Sequence, residues 1–188
     1  MPARHACGVA DLTPWTRRLT TSVESLLDGF EGRFGYPPDA NVVVAAPRPS
    51  GTLMHTSLEG RVQVPSVIVD FFDAIEEVSL PDVWNGYFLG PADRVVAAHI
   101  EESPRWITIG SELQEVLLVG SDGGGALYCA SIAEPAPVFR VEEPFIRDGV
   151  ATGLSGQVQL LGSSFTAFLD ALADAVETRA QGRDTPPF

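Results

Sequence analysis

Three groups of residues in this chain have types and spacings that bear on chemistry: a glycine cluster holding an aspartate, a few histidines and cysteines, and pairs of adjacent carboxylates. In VLLVGSDGGGALYCAS (116–131), four glycines and Asp122 lie between two apolar runs. A dinucleotide loop needs G-x-G-x-x-G between a strand and a helix, so that the pyrophosphate meets the helix N-terminus. Here the glycines fall at 120, 123, 124 and 125, and the ALYCASI that follows is aromatic enough to be strand. The chain has no lysine, which removes a P-loop. One aspartate cannot supply the roughly six to eight oxygens of a calcium site. The physical account that remains is a turn. It predicts antiparallel strands at 115–119 and 126–132, with Gly120, Asp122, Gly123, Gly124 and Gly125 in their exposed connection. Asp-Gly supplies the positive φ, and the extra glycines let another segment approach the backbone closely.

The other candidates form no catalytic pattern. His5, His55 and His99 are scattered, with no H-E-x-x-H, and Cys7 and Cys129 make no C-x-x-C. Cys129 is expected to be a free, buried thiol in a strand. GLSGQ (153–157) fails as a nucleophile elbow, because Gln157 stands where the second glycine belongs. Glu76-Glu77, Glu101-Glu102 and Glu142-Glu143 are sequence neighbours, which on a strand point to opposite sides and make no glycosidase pair. The expectation is therefore a chain with no catalytic residue, metal or cofactor. An enzyme whose residues converge only in three dimensions is the competing class.

Charge narrows the partner. Twelve cations, all arginine, stand against 25 carboxylates, for a net charge of −13. Nucleic-acid backbones need clustered cations, so nucleic acid is excluded as a partner. The acidity is either plain solvation or a field suited to a basic partner. MPARHACGVADLTPW has no apolar signal core and no stretch approaches a membrane span, so a cytoplasmic location off the membrane is expected.

The elements that must position these residues come next. Thr13-Pro14 opens a helix over 13–28, with Trp15, Leu19, Val23, Leu26, Leu27 and Phe30 at helical spacing. NVVVAA (41–46) reads as a buried strand, and TLMHTSLEGRVQV (52–64) as a hairpin turning near Glu59-Gly60. A helix follows Pro65, with Ile68, Phe71, Phe72, Ile75 and Val78 on one face, and Pro81 stops it. Short strands are expected at 84–89, 94–100, 106–110, 115–119, 126–132 and 138–141. Ser163 or Ser164 then caps a last helix that buries Phe165, Phe168, Leu169, Leu172 and Val176. Helices at both ends and in the centre, with closely spaced strands between, give an α+β single domain with a largely antiparallel sheet. Trp84 and Trp106 stand at strand starts, where an indole is core or a partner-facing anchor.

The order of Val119-Gly120-Ser121-Asp122-Gly123-Gly124-Gly125, strand Ala126 to Ser131, and a helix bearing Ser164-Phe165 and Phe168-Leu169 is similar to the SUKH superfamily, the Smi/Knr-type domain. The Pro65 helix with DFFDAI, followed by NGYFL, resembles its helix and first strand, and the likeness covers roughly 64–178. It departs from the family pattern in the long insertion NVVVAAPRPSGTLMHTSLEGRVQV (41–64). Three segments result: an N-terminal helix and strand extension over 1–63, expected to pack on the core; a SUKH-like domain over 64–180; and a tail over 181–188. The resemblance implies a non-catalytic fold, and for bacterial members an immunity protein that binds and neutralises a cognate toxin. The family alternative is a cytoplasmic scaffold regulating cell-wall synthesis. Acidic and aromatic residues near strand ends are the expected contacts of a basic toxin domain: Asp82, Trp84, Tyr87, Glu101, Glu102 and Asp122. The sequence does not set the oligomeric state.

Overall fold

The computed structural model describes residues 12–49, 51–59, 61–101, 104–153 and 157–183. The first helix, α1 (Thr13–Leu27), buries Trp15, Leu19, Val23 and Leu26, as its spacing predicts. Its N-cap is Leu12 rather than Thr13, and no side chain caps it. Gly29 at φ 65° ends the run, so Phe30 belongs to a separate short helix, α2 (Phe30–Phe34).

Three expectations are corrected in the next stretch. Strand β1 (Val42–Ala45) is an edge strand with Val42 and Val44 exposed, not a buried one. The expected hairpin is a helix, α3 (Gly51–Leu58), which buries Met54 and Leu58 four residues apart. The Pro65 helix, α4 (Ser66–Ala74), stops one turn early. Ile75 and Val78, expected on its face, lie instead in β2 (Ile75–Leu80). There Ile75, Val78 and Leu80 are buried, and the alternation of Val78 and Leu80 is that of a strand.

Strand β3 is only Tyr87–Leu89, because Trp84 (φ 55°) and Gly86 (φ 83°) turn the chain before it. The expected strand 94–100 is a helix, α5 (Ala92–Ile100), burying Ala92, Val95 and His99 at helical spacing. Then come β4 (Trp106–Ile109), the long β5 (Glu112–Asp122), β6 (Leu127–Ser131) and β7 (Val138–Val141). Three strands were not anticipated: β8 (Pro144–Arg147), β9 (Val150–Gly153) and β10 (Val158–Gly162). Helix α6 (Phe165–Ala180) closes the fold, with the Ser164 hydroxyl accepting from the Ala167 N–H.

Among the described residues every strand pair but one is antiparallel; β4 and β9 run parallel. The second half of β5 joins β3 and β6 in a main sheet, ordered β1-β2-β3-β5-β6-β7-β10. Its first half pairs with β4 and begins a small sheet, β5-β4-β9-β8. The α+β class and the largely antiparallel sheet therefore hold.

Alternation along β5 explains two cores. Leu117 and Val119 enter the main core with Tyr128, Phe165 and Phe168, whereas Val116 points the other way, into a small cluster with Ile107, Cys129, Val141 and Ala151. The main core also takes Trp15, Leu19, Leu26, Phe30, Met54 and Leu58, so residues before 64 share it. Phe71 meets Trp15 and Phe165 edge-on at centroid distances of 5.9 and 5.4 Å. The Trp15 indole donates to the Leu169 carbonyl at 2.7 Å, and Arg18 pairs with Asp174 and Glu177. These contacts advance in the same order along both helices, so α1 and α6 lie side by side in the same direction, and Arg33 of α2 donates to the Ala180 carbonyl. Among the described residues no helix is long and apolar enough to cross a membrane.

Candidate interaction surface

The glycine stretch resolves into a strand end and a turn. Gly120 and Asp122 are inside β5, not in an exposed connection, and β5 pairs antiparallel with β6 from Val116↔Ser131 to Ser121↔Leu127. Gly123, Gly124 and Gly125 form the exposed turn, with Gly125 at φ 88°. The Asp122 carboxylate organises it, accepting from the N–H groups of Gly124 and Ala126, each at 2.9 Å. Close approach is real at two glycines. A Cβ on Gly120 would stand 2.1 Å from the Phe88 carbonyl oxygen, and one on Gly123 2.2 Å from that of Asn85.

Most of the expected contact residues are occupied within the chain. Asp122 is buried and binds Arg140 at 2.7 Å, and Arg140 also pairs with Glu142. Burial works against the Arg140 charge, but the bond and charge of Asp122, joined by the charge of Glu142, raise the guanidinium pKa. Tyr87 is buried beside this pair. Desolvation pushes its phenol up to about 12, and the nearby Asp122 adds to the shift against an opposing effect of Arg140. Asp82 is buried too, accepting from the Asp39 N–H at 2.8 Å and from the Asn41 amide at 2.6 Å. Trp84 is half-buried against the core, with the Arg179 guanidinium 5.0 Å from its ring. The expectation that a partner reaches Asp82, Tyr87 and Asp122 is thereby corrected: folding uses them. Glu101 is exposed at the C-cap of α5, and Glu102 lies outside the described residues.

Among the described residues the sequence candidates form no catalytic grouping. His99 is buried, and desolvation lowers its pKa, with Arg105 adding to the effect against Glu115 and the nearby Val116 backbone. Cys129 is fully buried, and desolvation alone pushes its thiol up to about 12, away from the reactive thiolate. His5, Cys7 and Ser155 lie outside the described residues. Among the described residues no three His, Cys, Asp or Glu side chains cluster as a metal site would require. A groove of about 700 Å³ beside Val64, Ser66, Asp70 and Glu134 contains no histidine, cysteine or cation.

Two exposed apolar side chains, Leu113 and Phe145, share a face of the small sheet. In the small sheet, Ile107 and Ala151 face inward at 0% exposure, so the residues flanking them face solvent. Trp106 is opposite Glu115 on one side and beside Val150 on the other. Leu113 is opposite Thr108, and Phe145 opposite Thr152. Leu113 is 60% exposed and Phe145 57%, while Trp106 and Val150 are half-buried. The result is a sheet face carrying an indole, a phenyl ring and two aliphatic side chains, flanked by the Arg105–Glu115 pair at 3.4 Å. Trp106 was the part legible in the sequence. Leu113, Phe145 and Val150 were missed, although the Asp148-Gly149 turn between β8 and β9 was a hairpin signal, with φ of 51° and 74°. Comparison with protein-family models, with curated proteins and with solved structures finds no match to this chain in any of the three.

Proposed function

We propose that this chain is a non-catalytic protein-binding module, an immunity protein of the SUKH-like kind that neutralises a basic bacterial toxin by covering its working surface. The observation that carries the reading is the small-sheet face that bears exposed Leu113 and Phe145 and half-buried Trp106 and Val150, on a chain of net charge −13. Charge sets how fast two proteins meet, and desolvated aromatics set how long they stay. Toxins that act on nucleic acid carry basic clefts, which an acidic protein covers without chemistry of its own. The resemblance of the glycine turn and its flanking elements to the family supports the same reading.

The test is co-expression with a toxin encoded beside this chain. Cells should survive, and the two proteins should co-elute on gel filtration. A protein carrying Leu113→Ser and Phe145→Ser should keep its circular dichroism spectrum and lose the complex, because both residues are exposed and neither holds the core. No rescue and no complex with the unaltered protein would sink the proposal.

A further inference from the structure

We propose that the open edge of β1 accepts an extended basic segment of another protein as an added strand. Strand β1 pairs with β2 on one side, and among the described residues no strand pairs on its other side. An edge of this kind presents alternate N–H and C=O groups to solvent. Natural edge strands are commonly blunted by a proline, a lysine or an inward charge. Val42-Val43-Val44-Ala45 has no proline, lysine or charge; what limits this edge is its length of 4 residues and the irregular register between Val44 and Ala45. Val43 faces the main core beside Val78, so Val42 and Val44 lie on the opposite face, each 40% exposed. An added strand would cover both valines and satisfy the open backbone groups together.

Charge selects the occupant. Val44 stands directly opposite Glu77, Glu76 lies on the other side of the same strand, and exposed Asp39 precedes β1. Among the described residues no cation pairs with Asp39, Glu76 or Glu77. Arg48 and Asp73 are near in sequence and already have interactions of their own. Glu77 lies one strand beyond the open edge, on the face that Val44 shares, so a long lysine or arginine side chain of an added strand would approach it by reaching across Val44. A second copy of this chain is disfavoured, because each copy brings −13 and the same carboxylates to the junction. The inference does not need the partner to be a toxin, nor the small-sheet face to be its contact.

The probe is a synthetic peptide of alternating lysine and valine, titrated into the full chain and followed by amide shifts and amide hydrogen exchange. Shifts should centre on Val42–Ala45, exchange there should slow, and binding should weaken as salt rises. The same peptide with glutamate for lysine, or with a central proline, should not bind. Val44→Lys, a change on an exposed side chain, should weaken binding about tenfold or more by placing like charge at the junction. Glu77→Lys should act in the same direction. Binding of the glutamate peptide, shifts centred on the small sheet, or a concentration-dependent dimer broken by Val44→Lys would each overturn the proposal. None of these results bears on toxin rescue, so the two proposals fail separately.

Discussion

Two buried polar groups set different kinds of sensitivity at the residue scale. His99 is 2% exposed, and its folded-state pKa is depressed by desolvation first and Arg105 second, against smaller opposing effects of Glu115 and the Val116 backbone. The unfolded chain therefore binds a proton near the ordinary value of about 6.5, where the folded chain does not. Stability from this site is complete above that pH and falls as pH drops below it, until the lower folded pKa is reached. Urea titrations between about pH 7 and about pH 5 should show a shallower loss for His99→Leu than for the unaltered protein. Equal slopes would remove His99 from the account. Asp122 behaves otherwise, since it holds both Arg140 and the turn amides. Asp122→Ala strands all of these and should cost about 3 kcal/mol. Asp122→Asn, which keeps an oxygen for the turn, should cost less in the same thermal melts.

At the scale of elements, the two glycine roles separate. Gly120→Ala drives a methyl into the Phe88 carbonyl, a backbone atom that yields only if β3 and β5 part. A loss of about 3 kcal/mol is expected. Gly125→Ala meets no atom within 4 Å, and only its φ of 88° is strained, so about 1 kcal/mol is expected. Urea midpoints for the pair should rank in that order; the reverse ranking would refute the close-approach argument. Similar physics decides what was legible in the sequence. Helices α1 and α6 were, because one apolar stripe with a turn or cap at its end has a single solution. The α4–β2 boundary was not, since Phe71, Phe72, Ile75 and Val78 fit a helical stripe whether or not the chain has already straightened. In α5 the valines at 95 and 96 read as strand, yet Ala92, Val95 and His99 bury one helical face against the core, and packing overrode propensity. Of the interaction surface, the acidic total was readable from composition. Which carboxylates folding would consume was not, because Asp82 and Asp122 find their partners only through tertiary contacts.

For the whole molecule, the separation of charge from apolar contact makes a kinetic prediction. Asp122 is offset by its ion pair with Arg140, so the carboxylates on the surface are the ones that feel a partner most directly. Glu101 is one of these, exposed at the end of α5. Phe145 is 57% exposed and carries no charge, so it acts only once the surfaces touch. Association with a basic toxin should therefore be fast at low salt and slow markedly as salt rises, because screening shortens the reach of the field. Glu101→Arg should lower the association rate and leave dissociation nearly unchanged. Phe145→Ser should do the opposite, raising the dissociation rate by about tenfold if the ring is a buried anchor. Stopped-flow measurements across a salt series read both rates. An association rate indifferent to salt and to Glu101→Arg would reduce the net charge of −13 to a matter of solvation, leaving the apolar face as the sole source of recognition.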